Sequence, residues 1–317
     1  MGRLAFALLL VALAGCPQEK SDAGFKVALV TPGSITDQGW NALAAEGIER
    51  VEKELGVKTE KSEQKDASKF EDTLKDYALR GANVVFAHGF EFQAVCEKVG
   101  AKFPNTVFIV AAGDHPFANG APIKLKLDEA FYLAGMLSAS LSKTKKLGCV
   151  GGLDAPAISS GFKAFERGAR TIAKDATVTS VYVGNFEDAA KGKELAFALI
   201  AQGVDVIVHN ADHAGLGVFE AAKEKGALAI GSNRDQNGDA SGVVVASATV
   251  DIPRCMVELA REVKENRFKP RDVLLDMKSG YVDLKIAPKT AVADDVRKAI
   301  EDAKKAILAG TLDPAKD

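Results

Sequence analysis

The chain has 317 residues, 47% of them hydrophobic, with 41 Lys plus Arg against 43 Asp plus Glu and a formal net charge of -2. A near-neutral chain with no basic stripe argues against a nucleic-acid partner. About 300 residues beyond any leader exceed what one hydrophobic core usually organises, so two lobes are expected.

In chain order, the first feature is Arg3 followed by the apolar run Leu4 to Ala14, LAFALLLVALA. That run is about eleven residues long, well short of the roughly twenty that span a bilayer core. A positive start, a short apolar run and small residues make a secretory signal. The junction Leu13-Ala14-Gly15-Cys16 has the layout of a lipobox. Residues 1–15 are therefore read as a signal peptide, Cys16 as a lipidated mature N-terminus, and 16–24 as a polar tether to the membrane. An ordinary signal peptide with a chance cysteine is the competing reading. Cys96, Cys149 and Cys255 are far apart and form no CxxC pair, so buried free thiols are expected.

From residue 25 on, short β-rich runs alternate with amphipathic stretches. Strands are predicted at 25–32, 57–63, 83–89 and 106–113, with helices at 40–55, 68–80 and 91–102 between them. The runs VALV, VVFA and VFIV are continuous rather than alternating, as in parallel strands buried on both faces. A long helix at 128–143 precedes a second series. Its strands fall at 146–152, 178–184, 204–211, 228–233 and 243–250, and its helices at 158–174, 187–202 and 215–225. Helices at 252–266 and 291–308 and a strand at 281–287 complete the chain. This pattern implies an α/β fold of two doubly wound parallel-sheet lobes. Three crossings, near 124–128, 247–250 and 279–282, would form a three-strand hinge. The expected lobes are 25–125 plus 250–278, and 126–249 plus 279–317.

In open α/β sheets, ligands sit outside the carboxyl ends of the strands. Reading those ends nominates Asp37, Gly89, Phe90 and Asp114 from the first lobe, and Phe186, Asn210, Asp212, Asn233 and Asp235 from the second. Trp40, the only tryptophan, follows the first strand in TPGSITDQGWN and joins them. One aromatic from each lobe, Trp40 and Phe186, could hold a flat ring between them. For both residues, ordinary packing in the interior is the alternative. His88, His115, His209 and His213 all fall near strand ends, but their spacing matches no metal motif, and partly exposed loop histidines are the expectation. No GxGxxG follows a strand, and GxxxxGK[ST], HExxH and GxSxG are absent. No catalytic residue, metal or cofactor is therefore expected.

Several stretches taken together resemble the basic membrane lipoprotein family, the purine-nucleoside-binding proteins of bacterial ABC importers. They are TPGSITDQGWNALAAEGIE, FAHGFEFQ, DEAFYLAG, LGCVGGLDAP, YVGNFEDAAKGKELA, GVDVIV and AIGSNRDQ, in the family's order. The resemblance implies the type I periplasmic-binding-protein fold and a small-molecule ligand. It also implies an ABC permease as partner, and a lipid-anchored place on the periplasmic or extracellular face of the cell envelope. It assigns Asp37, Trp40 and Asn41 to the family's first binding loop, and carries over Gly89, Phe90 and Phe186. The chain departs from the family at two positions. Asn233 stands where a late Asp is usual, and Val250 where a lysine commonly follows. Losing that charged pair implies weaker recognition of a ribose, and leaves a nucleobase or another flat heterocycle such as a flavin as candidates. A ligand-sensing receptor feeding a membrane signalling partner is the alternative function for the same fold.

Overall fold

A computed structural model describes residues 24–316. The leader, Cys16 and all of the 16–24 tether but its last residue lie outside the described residues. The first series comprises β1 (Lys26–Thr31), α1 (Trp40–Leu55), β2 (Lys58–Glu63), α2 (Phe70–Leu79), β3 (Val84–His88), α3 (Gln93–Gly100), β4 (Val107–Ala111) and β5 (Gly120–Leu125). The second begins with α4 (Leu127–Leu141) and β6 (Lys146–Gly151). It continues through α5 (Pro156–Ile172), β7 (Thr177–Tyr182), α6 (Ala189–Ala201), β8 (Val206–Asn210), α7 (Ala214–Lys225), β9 (Leu228–Asn233) and β10 (Val244–Val250). The chain closes with α8 (Ile252–Lys264), β11 (Val273–Leu275), β12 (Val282–Ile286) and α9 (Asp294–Leu308).

Two six-stranded sheets result, in the orders β11-β5-β4-β3-β1-β2 and β12-β10-β9-β8-β6-β7. Every pairing is parallel except that of β12 with β10. The continuous apolar runs behave as expected of parallel strands covered on both faces. In β1, Val27 and Leu29 face one core while Ala28 and Val30 face another. The edge strand β2, KTEKSE, is polar and half-exposed, which suits a strand with one unpaired side.

The chain passes from the first lobe to the second between β5 and α4. It returns between β10 and α8, since α8 packs on α1, and crosses again between β11 and β12. The three crossings are tied to one another. Lys126 N–H donates to Leu275 O at 2.9 Å, Asp251 N–H to Tyr281 O at 2.8 Å, and Met277 N–H to the Glu129 carboxylate at 2.7 Å.

Two strands, β5 and β11, do not show in the sequence pattern. The first contains Pro122, which cannot donate to a ladder and lowers any strand reading. The second has only three residues, too few for a period. Both are held by their neighbours rather than by local preference.

Helices α4 and α5 meet backbone to backbone. A Cβ on Gly135 would stand 1.9 Å from Phe165 O, and one on Gly168 would stand 1.9 Å from Tyr132 O. Neither backbone can yield without parting the helices. Gly135→Ala should therefore lose about 1–3 kcal/mol of stability, as overpacked cores do. Urea unfolding measures it, and an unchanged midpoint would show that the two helices separate at no cost.

Candidate functional site

The strand ends of both lobes converge on one cavity of about 520 Å³. From the first lobe its wall includes Gly33, Trp40, Asn41, Lys65, Phe70, Gly89, Phe90, Glu91 and Ala112. Leu125, Leu127 and Asp128 come from the first crossing. The second lobe adds Leu153, Ile158, Ser160, Asn185, Phe186, Glu187, Asn210, Asp212 and Asn233, among others. Parallel strands place these loops here, since all their carboxyl ends point the same way in each sheet.

Eight expected positions meet at this wall: Trp40, Asn41, Gly89, Phe90, Phe186, Asn210, Asp212 and Asn233. Three do not. Asp37 is buried and caps the start of α1. Its carboxylate accepts from Gly39 N–H at 2.9 Å, Asn41 N–H at 2.8 Å, Ala42 N–H at 2.9 Å and Asn41 Nδ2 at 2.9 Å, leaving it committed to the helix. Asp114 lies beyond the left-handed turn at Ala112 (φ 57°) and is exposed, with its carboxylate 2.7 Å from the His115 ring. Asp235 follows the left-handed Asn233 (φ 65°). It is turned outward to accept from Asn237 N–H at 3.1 Å and to face Lys285 at 3.8 Å. The sequence reading nominated neither Lys65 nor Asp128 nor Glu187. Lys65 follows an edge strand and Asp128 sits on a crossing, so neither stands at the end of an inner strand.

Trp40 is half-buried, and one face of its indole is already covered. The His88 ring stacks on it with centroids 4.0 Å apart. Burial lowers the His88 pKa to about 3, so the ring is neutral, and its Nε2–H donates to Trp40 O at 2.9 Å. His88 and His209 are thus interior residues, not partly exposed loop histidines. Phe186 fits because residue 152 is glycine: a Cβ there would meet the ring at 2.1 Å. Phe90 is 52% exposed at the same wall.

Asp212 joins the lobes. Its Oδ1 accepts from Trp40 N–H across the cleft at 3.3 Å and from Asn233 Nδ2 at 3.4 Å. Gly39 allows that approach, since a Cβ there would lie 3.2 Å from Asp212 Cα. Gln236 Nε2 makes a second bridge, to Gln38 O at 3.4 Å. Gln38, Ala112, Asp212 and Asn233 are four of the six non-glycine residues with positive φ among the described residues, so backbone strain is concentrated at the cleft. Burial, together with the nearby Asp37 and Glu187 charges, pushes the Asp212 pKa up to about 8, while the Trp40 N–H and the Asn233 amide oppose the rise. Val250 is buried in the core and does not reach the wall. Among the described residues no group of three or more His, Cys, Asp or Glu side chains is placed to hold a metal ion.

The comparisons with known proteins agree with this geometry. A family profile described as ABC transporter substrate-binding protein PnrA-like, the Bmp family, matches residues 25–314. The chain belongs to the Bmp family. A nucleoside-binding ABC transporter protein of Lactococcus lactis is 27% identical to it, over 97% of this chain and 96% of its own length. A purine-binding protein of Brucella abortus is 27% identical, over 91% of this chain and 82% of its own length. The fold is also that of an ABC solute-binding protein of Aeropyrum pernix, with TM-score 0.83 and 22% identity over 91% of this chain and 92% of that one. The protein is thus an ABC transporter substrate-binding protein, of a family that binds solutes rather than transforming them. No helix among the described residues is long and apolar enough to cross a membrane.

The buried Asp212 sets a pH dependence. An unfolded carboxyl titrates near about 4, while the folded one titrates at about 8. Between those values the folded chain holds a proton that the unfolded chain releases, so this group costs stability progressively as pH rises through the window. Asp212→Asn keeps an acceptor for Trp40 N–H and cannot ionise. Its melting temperature relative to the parent should climb from about pH 5 to about pH 8 and then level off. A pH-independent difference would show that Asp212 is not a buried acid.

Proposed function

We propose that this protein captures a purine nucleobase or nucleoside, or another flat heterocycle of that size, between its lobes and hands it to an ABC permease. The observation that carries this reading is the cavity of about 520 Å³ with Trp40, Phe90 and Phe186 on its wall and polar groups from both lobes around them. Its size and mixed lining suit a small organic ligand. The nucleoside-binding and purine-binding names of the two relatives support the ligand class. Capture works by closure about the three crossings, and the Trp40–Asp212 and Gln38–Gln236 bridges are the contacts that closing makes. Asp37 acts indirectly by holding Asn41. Family membership favours delivery to a permease over a sensing role.

Stacking on an aromatic contributes roughly 1–3 kcal/mol per base. Trp40→Ala should therefore weaken binding of adenine, adenosine, guanine or guanosine by about tenfold or more in calorimetry. In the parent, ligand should change the fluorescence of this single tryptophan. Binding of a plain sugar, with none of the four purines binding, would defeat the reading.

The protein works outside the cytoplasm, held to the membrane by a lipid on Cys16. The lipobox at Leu13-Ala14-Gly15-Cys16 supports the anchor. In cells given labelled fatty acid, Cys16→Ser should abolish incorporation into the protein, and equal labelling of variant and parent would rule the anchor out.

A further inference from the structure

We infer that the cavity selects heterocycles that carry a positive charge or present a donor-rich nitrogen edge, and discriminates against neutral, acceptor-edged rings. This rests on the proposed capture of a flat heterocycle at this site and names the chemistry that decides among such ligands.

Charge on the wall is one-sided. Glu91, Asp128 and Glu187 line the cavity against the single ammonium of Lys65, and Asp212, its pKa raised to about 8, stands beside them as a protonated acid. The carboxylates come from both lobes and from the crossing between them. Glu187 extends toward the opposite lobe, with Oε1 2.9 Å from where a Gly33 Cβ would stand.

Two wall residues carry buried unsatisfied polar atoms of the same polarity. Asn41 is 4% exposed and Asp128 is 8% exposed, and neither Asn41 Oδ1 nor Asp128 Oδ2 has a hydrogen-bond partner. Both are oxygens that can only accept. The Asn41 amide cannot turn round to offer its nitrogen, because Nδ2 is held by the Asp37 carboxylate at 2.9 Å. A flipped amide would set oxygen against carboxylate. Lys126 Nζ forms an ion pair with Asp128 Oδ2 at 3.6 Å, too long for a hydrogen bond, and partly offsets the burial, while Asp313 adds a like charge nearby. Burial raises the carboxyls of Asp128, Glu91 and Asp212 above their ordinary range.

A buried acceptor without a donor costs free energy, and a desolvated carboxylate whose counter-charge does not reach hydrogen-bonding distance costs more. When the lobes close on a neutral ring with acceptors at its edge, those costs stay. When they close on a cationic ring with N–H groups, the ring supplies both the donors and the charge. The aromatic rings of Trp40, Phe90 and Phe186 add to the same preference, since their faces attract cations.

Matched pairs that differ in charge test this by calorimetry on the purified protein. One pair is 1-methylnicotinamide, a permanent cation, and neutral nicotinamide. The other is 7-methylguanosine and guanosine at about pH 6, where the methylated base is cationic. In at least one pair the cation should bind about tenfold tighter or more than its neutral partner. Asp128→Asn should bring that ratio toward one. Glu187→Gln, at an exposed side chain that the fold does not need, should reduce it as well, so a folding defect in the first variant does not decide the matter. Neutral members binding as tightly as the cations would overturn the inference and leave the purine reading standing. A preference for cations that survives both substitutions would overturn the assignment to these carboxylates. Failure of both pairs and of all four purines would overturn the inference and the proposed function together.

Discussion

In the first sheet every strand runs the same way, and in the second only β12 runs against its neighbour β10. Parallel strands need crossover helices, and the loops that leave their carboxyl ends collect on one edge of each sheet. Because the three crossings hold those two edges face to face, residues as distant in sequence as Gly33, Phe90, Phe186 and Asn233 share one cavity. The crossings themselves are held by backbone hydrogen bonds from Lys126 and Asp251 and by the Glu129 carboxylate. A different strand direction in either lobe would scatter the same side chains over two surfaces.

Desolvation then gives the cleft its chemistry. Asp37 meets four donors from the first turn of α1 and is satisfied where it lies. Asp212, buried between lobes, meets one backbone N–H and one amide, both at long range. The same functional group is a settled helix cap in one place and a strained interlobe contact in the other. Asn41 shows how the two are linked. By holding the Asn41 amide nitrogen, Asp37 leaves the Oδ1 of this wall residue buried and without a donor.

Much of this architecture was legible in the sequence because it rests on local signals. Continuous apolar runs separated by helical periods disclose buried parallel strands, and strand ends then nominate a binding edge without any motif. That route found Trp40, Phe90, Phe186, Asp212 and Asn233, while the resemblance to the family's first loop supplied Asn41. It also nominated Asp114 and Asp235, since position along the chain does not reveal that the left-handed residues Ala112 and Asn233 turn the chain outward just before them. It passed over Asp128, whose place on a crossing is fixed by packing of α4 on α5 and α9 rather than by a strand end. β5, with Pro122, and the three-residue β11 were hidden for a related reason: only their sheet neighbours make them strands.

The sequence by itself determined the fold class, the strand-end edge and the family, because hydrophobic periodicity and ordered motifs are properties of the chain. Only the tertiary structure decided which carboxylates face the cavity, which polar atoms lack partners there, and that His88 rather than a ligand covers one face of Trp40. Those facts depend on how two lobes meet. Burial and hydrogen bonding across the cleft are sums over residues far apart in the chain, and no local pattern encodes them.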